Sequence, residues 1–181
     1  MNLKELTWEH HKNAERQEFV KVLMGGDIDK ELYARYLYNQ FPCYEILEVM
    51  SNQHRLFENF PEILRCKLIL QDFLELWPSD KNPPEVCEST KKYIMHMKSI
   101  MDDPKKLMAH IYVRHMGDLS GGQMIAKKVP GEGRYYKFEG DVKELKEKVR
   151  AQCSDDMAEE AKLCFDFATD LFKDMMQYVT K

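Results

Sequence analysis

The stretch Arg114-His115-Met116-Gly117-Asp118-Leu119-Ser120-Gly121-Gly122-Gln123 places one carboxylate and one guanidinium among three glycines. The surrounding segment, from about Pro104 to Lys128, otherwise reads as helix. Each glycine weakens a helix by about 1 kcal/mol relative to alanine. A helix retains such residues where something must approach its backbone or where it must bend. A flat, rigid ligand lying against the helix requires both. Asp118 is the acid available to such a ligand. Arg114 precedes it by four residues, on the same helical face, and can orient it through hydrogen bonds. The plainer alternatives are a glycine kink that serves helix packing, and an exposed Arg114–Asp118 ion pair worth a few tenths of a kcal/mol.

A second constellation can hold a metal. His11 and Glu15 are spaced i, i+4 near the N-terminus. Such a carboxylate can hold one imidazole N–H while the other nitrogen faces an ion. His10 points about 100° away around the helix and should not reach the same metal. On chemistry alone, a histidine beside a glutamate is more often a surface pair. His54, His96 and His115 have no supporting pattern and read as surface or core residues. His110 reads as structural.

The elements that must position these groups are helical. Glycine and proline are sparse, at 8 and 7 of 181 residues, while Met, Leu, Glu and Lys are plentiful, a composition that favours helix. Leu3 to Met24 reads as a first helix, stopped by Gly25-Gly26. Asp29 can cap a second that runs toward Asn59, with Pro42 predicting a kink or break. Pro61 can open a third that ends near Trp77-Pro78, and residues 79–84 read as a loop. A fourth helix reaches about Met101, and the glycine-bearing helix follows. Arg134 to Gly140 reads as extended or irregular. Helices resume over Asp141–Gln152 and Ser154–Tyr178. No repeat or strand alternation supports a sheet. The expectation is an all-α chain, residues 1–181 forming a single domain, with ligand space between helices.

The net charge of −4 gives no reason to expect nucleic acid as a partner. The five cysteines are scattered and form no Cys-x-x-Cys pair, against both a zinc site and a disulfide framework. No run approaches the ~20 apolar residues of a membrane span, and the N-terminus lacks a signal-peptide stretch. A soluble, cytoplasmic chain that binds no membrane is expected. A carboxylate di-iron bundle needs Glu-x-x-His pairs on two helices, and the sequence contains none.

The glycine run, with Ala109-His110-Ile111-Tyr112-Val113 before it, resembles the distal-helix signature of the heme oxygenases. Lys4 to Phe19 is similar to that family's proximal helix, with its Thr-x-x-x-His-x-x-Ala-Glu pattern at Thr7 to Glu15. The resemblance extends to about Phe172, and is looser between Gly140 and Ser154. It implies a helical bundle with heme b sandwiched between a proximal helix and a glycine-kinked distal helix. It also implies O2- and electron-dependent cleavage of heme, both substrate and cofactor, to biliverdin (the IX-alpha isomer), carbon monoxide and ferrous iron. On this resemblance His11 is the iron ligand and Glu15 its support. Asp118 delivers protons through ordered water, with Arg114 and Tyr44 in the same network. Gly117 and Gly121 face the ring, and Gly122 supports the bend. Phe165 lines the pocket. Lys4, Tyr112, Lys146 and Arg150 receive the propionates; Lys146 is matched across a two-residue gap, and Lys148 aligns without it. Ala168 replaces a usual asparagine, and Asp166 adds a charge beside Phe165. The implied partners are a soluble electron donor such as ferredoxin and a downstream bilin reductase, around a monomer. A non-catalytic heme carrier of the same fold is the alternative; a partner-binding scaffold leaves the glycines without a purpose.

Overall fold

A computed structural model describes residues 2–180. Among them there are ten α-helices, a few short 3-10 turns and no strand. The expected first helix is three pieces: α1 (Leu3–Leu6), α2 (Trp8–Glu15) and α3 (Glu18–Met24). Asn2 caps α1 by accepting the Glu5 N–H at 3.0 Å. The Thr7 hydroxyl donates to the Leu3 carbonyl at 2.9 Å, beside the Thr7 N–H that the same carbonyl accepts at 3.1 Å.

Asp29 does cap the second helical region, accepting the N–H groups of Glu31 and Leu32 at 3.1 Å. The helix it starts, α4 (Lys30–Gln53), runs 24 residues and passes through Pro42 without a break. Its buried face continues on both sides of the proline, through Asn39, Gln40, Cys43, Tyr44 and Leu47. Packing outweighs the one backbone hydrogen bond that proline removes. Pro61 opens only a 3-10 turn (Pro61–Ile63), and α5 (Cys66–Leu76) starts after it. α6 spans Glu88–Ser99.

α7 (Pro104–Leu119) begins with proline in its first turn and with Asp103 accepting the Lys106 N–H at 3.1 Å. The glycine run then breaks it. Ser120 leaves helical geometry (φ −106°, ψ −96°), and a short α8 (Gly122–Ile125) resumes beyond. Residues 134–136 form a 3-10 turn in the segment expected to be irregular. α9 (Val142–Ala151) and α10 (Ala158–Met175) complete the chain, with Asp141 capping α9.

α10 packs against α2, α3, α6 and α7, and α4 packs against α5, α6 and α7. Two apolar cores result. One joins α7, α9 and the start of α10 to the far end of α4. The other joins α3, α5 and Tyr135-Tyr136 to the start of α4. α7 is buried along most of its length, yet the buried set includes His110, Arg114, His115 and Asp118. Each of these must find a partner inside the protein. No helix of the described residues is long and apolar enough to cross a membrane.

Candidate active site

The proximal pair forms as its spacing predicts. His11 Nε2 lies 2.8 Å from Glu15 Oε1, so Nδ1 is the nitrogen left to a metal in this rotamer. The His11 ring stacks on Phe165 of α10, with centroids 5.2 Å apart and planes 11° from parallel, and Trp8 meets its edge. The His11 side chain remains about one-third exposed. His10 points elsewhere: its Nδ1 lies 2.8 Å from Asp166 Oδ1, tying α2 to α10. The charge that Asp166 adds beside Phe165 is thereby engaged.

The distal carboxylate is buried. The Tyr44 hydroxyl donates to Asp118 Oδ2 at 2.7 Å, and the Tyr135 hydroxyl donates to Tyr44 at 2.8 Å. Gln40 Nε2 donates to Tyr36 at 2.9 Å and to Tyr135 at 3.3 Å. Burial pushes the Asp118 carboxyl up to about 7, against the opposing pull of the Tyr44 and Tyr135 hydroxyls and the Arg65 and Arg114 charges. A carboxyl near 7 can both take and return a proton at neutral pH.

Arg114 forms no hydrogen bond or ion pair with Asp118 among the described residues. Its guanidinium lies 4.1 Å over the Tyr93 ring, and Nη1 donates to Gln40 Oε1 at 3.3 Å. Its link to Asp118 therefore runs through Gln40, Tyr135 and Tyr44. Gln40 and Tyr135 gave no signal in the sequence, because they lie 95 positions apart and neither belongs to a motif.

The glycines divide into two kinds. A Cβ built on Gly117 or Gly121 would meet nothing within 4 Å, so both expose bare backbone to open space. A Cβ on Gly122 would lie 2.8 Å from the Tyr136 ring. Gly122 is needed for close packing at the break. Gln123, a further residue that sequence reasoning missed, steadies the same break. Its amide donates to the Asp118 carbonyl at 3.1 Å and to the Tyr136 carbonyl at 2.8 Å.

The remaining α7 histidine outside the signature's expected roles, His115, is fully buried, with Nε2 2.8 Å from Glu48 Oε2. Glu48 also accepts the backbone N–H groups of Arg65 at 2.7 Å and Cys66 at 3.0 Å. Burial lowers the His115 imidazole, while these donors hold the Glu48 carboxyl below its ordinary value despite burial. The pair is a neutral ring beside a carboxylate.

Of the residues expected to bind propionates, Tyr112 is half-buried, with burial raising its phenol and the nearby Arg150 pulling it back. Lys4 and Arg150 are exposed and Lys146 is partly so. None of these three forms an ion pair among the described residues. Lys148, the ungapped alternative, lies 3.7 Å from Glu144.

An accessible histidine, open backbone at Gly117 and Gly121, and three cations without ion pairs among the described residues are the kinds of contact that a flat ligand with a metal centre uses. The family model for heme oxygenase matches residues 1–179. Heme oxygenase 2 of Macaca fascicularis is 32% identical over 97% of this chain, and this chain spans 64% of its length. Heme oxygenase 2 of Synechocystis is 31% identical over 80% of this chain and 66% of its own length. Among solved structures, the Synechocystis heme oxygenase-2 complex with heme and NO superposes with a TM-score of 0.85 at 27% identity, covering 97% of this chain and 84% of that one. The heme oxygenase of Leptospira interrogans gives 0.81 at 28% identity, covering 95% and 98%.

Proposed function

Because this chain belongs to the heme oxygenase family, we propose that it binds heme and cleaves it, with O2 and electrons, to biliverdin, carbon monoxide and ferrous iron. The observation that carries this reading is Asp118. It is a carboxyl that burial raises to about 7 and that a tyrosine relay hydrogen-bonds, next to a helix break whose two open glycines bare the backbone.

Heme, when bound, supplies both the iron that activates O2 and the ring that is oxidised. The protein's own part is positioning and proton management. His11 would hold the iron, and Glu15, 2.8 Å from its Nε2, would fix its ring and tautomer. Gly117 and Gly121 let the distal backbone lie against the ring. Asp118 holds water through its carboxylate and returns protons at neutral pH. Tyr44 donates to Asp118 and keeps its carboxylate oriented. Lys4, Tyr112, Lys146 and Arg150 hold the propionates, and so set which meso edge is attacked; the IX-alpha isomer is the proposed product. Charge-assisted hydrogen bonds of this kind contribute about 1.5–3 kcal/mol each when well formed. A soluble ferredoxin is the proposed electron donor, and a bilin reductase the proposed consumer of the product.

The test is direct. The protein is mixed with hemin, given O2 and reduced ferredoxin, and followed by visible absorption. Loss of the heme band with growth of a bilin band is the expected result. A heme band that persists under reductant and O2 identifies a carrier instead, and no heme band at all refutes both. His11→Ala should lose the axial-ligand spectrum and regain it in part with imidazole; that behaviour in His10→Ala instead would move the ligand by one position. Lys146→Ala combined with Arg150→Ala should weaken heme binding or give mixed bilin isomers.

A further inference from the structure

About two turns before the glycine break along α7, three helices send metal-ligating atoms to one point. His96 on α6 and His110 on α7 both direct Nε2 at Glu160 Oε1 on α10, at 2.5 and 2.8 Å. The three ligand atoms all lie within 4.8 Å of one another. Tetrahedral coordination at about 2.0–2.2 Å from each donor requires these contacts to open to about 3.3–3.6 Å. Two imidazoles and one carboxylate suit borderline divalent ions such as Zn2+ and Co2+. Ca2+ and Mg2+ favour all-oxygen sets.

Two further observations separate this cluster from an ordinary buried hydrogen-bonded pair. The Tyr93 hydroxyl lies 2.8 Å from His110 Nδ1, the outer contact that fixes the ring of a metal-bound histidine. His96 is about one-fifth exposed, whereas His110 is wholly buried. The cluster therefore has one open side, where an ion can enter and keep a water.

We propose that His96, His110 and Glu160 form a second metal site, distinct from the heme iron ligand, that takes one divalent transition-metal ion. When the ion occupies Nε2 of His110, the proton of that ring sits on Nδ1 and is donated to Tyr93. The ion then fastens α6, α7 and α10 together. It also fixes the Tyr93 ring that Arg114 lies over, so it stiffens the wall behind the distal network.

The experiment uses the full chain, free of any tag, in chelator-stripped buffer. Co2+ is titrated by its visible ligand-field bands and Zn2+ by calorimetry. The expected result is saturable uptake of one ion per chain, a ligand-field spectrum of low coordination number, and a higher Tm with Zn2+. His96→Asn should weaken uptake at least tenfold, and Tyr93→Phe about tenfold or more, as loss of a supporting contact does. His11→Ala should retain it. A measurement that needs no variant accompanies these: Zn2+ should shift the imidazole nitrogen resonances of His96 and His110 in the unaltered protein. Absence of saturable uptake, unshifted His96 and His110 resonances, or uptake lost in His11→Ala and kept in His96→Asn would each overturn the proposal.

Discussion

A guanidinium can only donate, and that constraint propagates from Arg114 to Asp118. Because Arg114 donates to Gln40, the amide must present Oε1 to it and turn its NH2 toward Tyr36 and Tyr135. Tyr135, accepting there, gives its proton to Tyr44, and Tyr44 gives its own to Asp118. Every hydrogen bond in the series points at the carboxylate and favours its charged form. Removing a member should therefore raise the Asp118 carboxyl above its value of about 7. Tyr135→Phe and Gln40→Leu should raise it modestly and Tyr44→Phe more, read as the titration midpoint of the labelled Asp118 carboxyl carbon in heme-free protein. An unmoved midpoint in Tyr44→Phe would show that the series has no electrostatic role. The same carboxyl has a consequence for stability. Its folded value lies above its unfolded value of 3.8, so the unfolded chain loses this proton first. Its contribution to stability falls as pH rises from about 4 through about 7. Asp118→Asn should remove that decline, giving a smaller difference between urea midpoints at pH 5 and pH 8 than in the unaltered protein.

At the level of elements, the distal helix contains a built-in contrast. Gly117 and Gly121 both hold backbone angles open to any residue, and neither has a neighbour that a methyl group would strike. Gly117→Ala should thus stabilise the heme-free protein by up to about 1 kcal/mol while weakening heme binding. Gly121→Ala should do the same to a smaller extent, since it lies at a helix start. Gly122→Ala should instead cost about 1–3 kcal/mol, because its methyl would overlap Tyr136. Urea midpoints and hemin titrations read both effects. Local patterns made this helix and the His11–Glu15 pair legible in sequence, since glycine content and i, i+4 spacing act over a few residues. Breaks decided by tertiary contact were not legible. The proline of α4 sits in a stripe buried on both sides and does not break it, whereas the first helical region divides where no proline or glycine stands. The Arg114 side chain likewise went to Tyr93 and Gln40, against the local i, i+4 expectation, because a ring face and an amide from other helices were available.

Across the whole molecule, one buried arginine joins the irregular part of the chain to the helices. Arg65 is 2% exposed and donates to the carbonyls of Glu62, Ile63, Leu64, Tyr135 and Lys137. Asp72 on α5 accepts the N–H groups of Arg134 and Tyr135 at 3.1 and 2.8 Å. Between them they hold Tyr135 under Tyr44, so a loop residue gains the precision of a helical one. Arg65→Met keeps the apolar stem and removes all five donors. Several buried carbonyls then lose partners at about 1–3 kcal/mol each. The expected result is a large drop in the urea midpoint, and faster amide exchange at residues 134–137 than elsewhere. Asp72→Asn should be milder, since the amide oxygen can still accept one of the two N–H groups that Asp72 accepts on separate oxygens.

The open glycines also bear on how this chain would drift if freed from its ligand. Suppose a library randomised at positions 117, 121 and 122 were sorted for soluble, protease-resistant protein alone. Alanine and other helix formers would displace glycine at 117 and 121, where nothing in the empty fold resists them. Position 122 would stay glycine, guarded by Tyr136. Sorting the same library for hemin retention would restore glycine at the first two. The difference between the two sorted populations would report, position by position, which part of the helix serves the fold and which part serves the ligand.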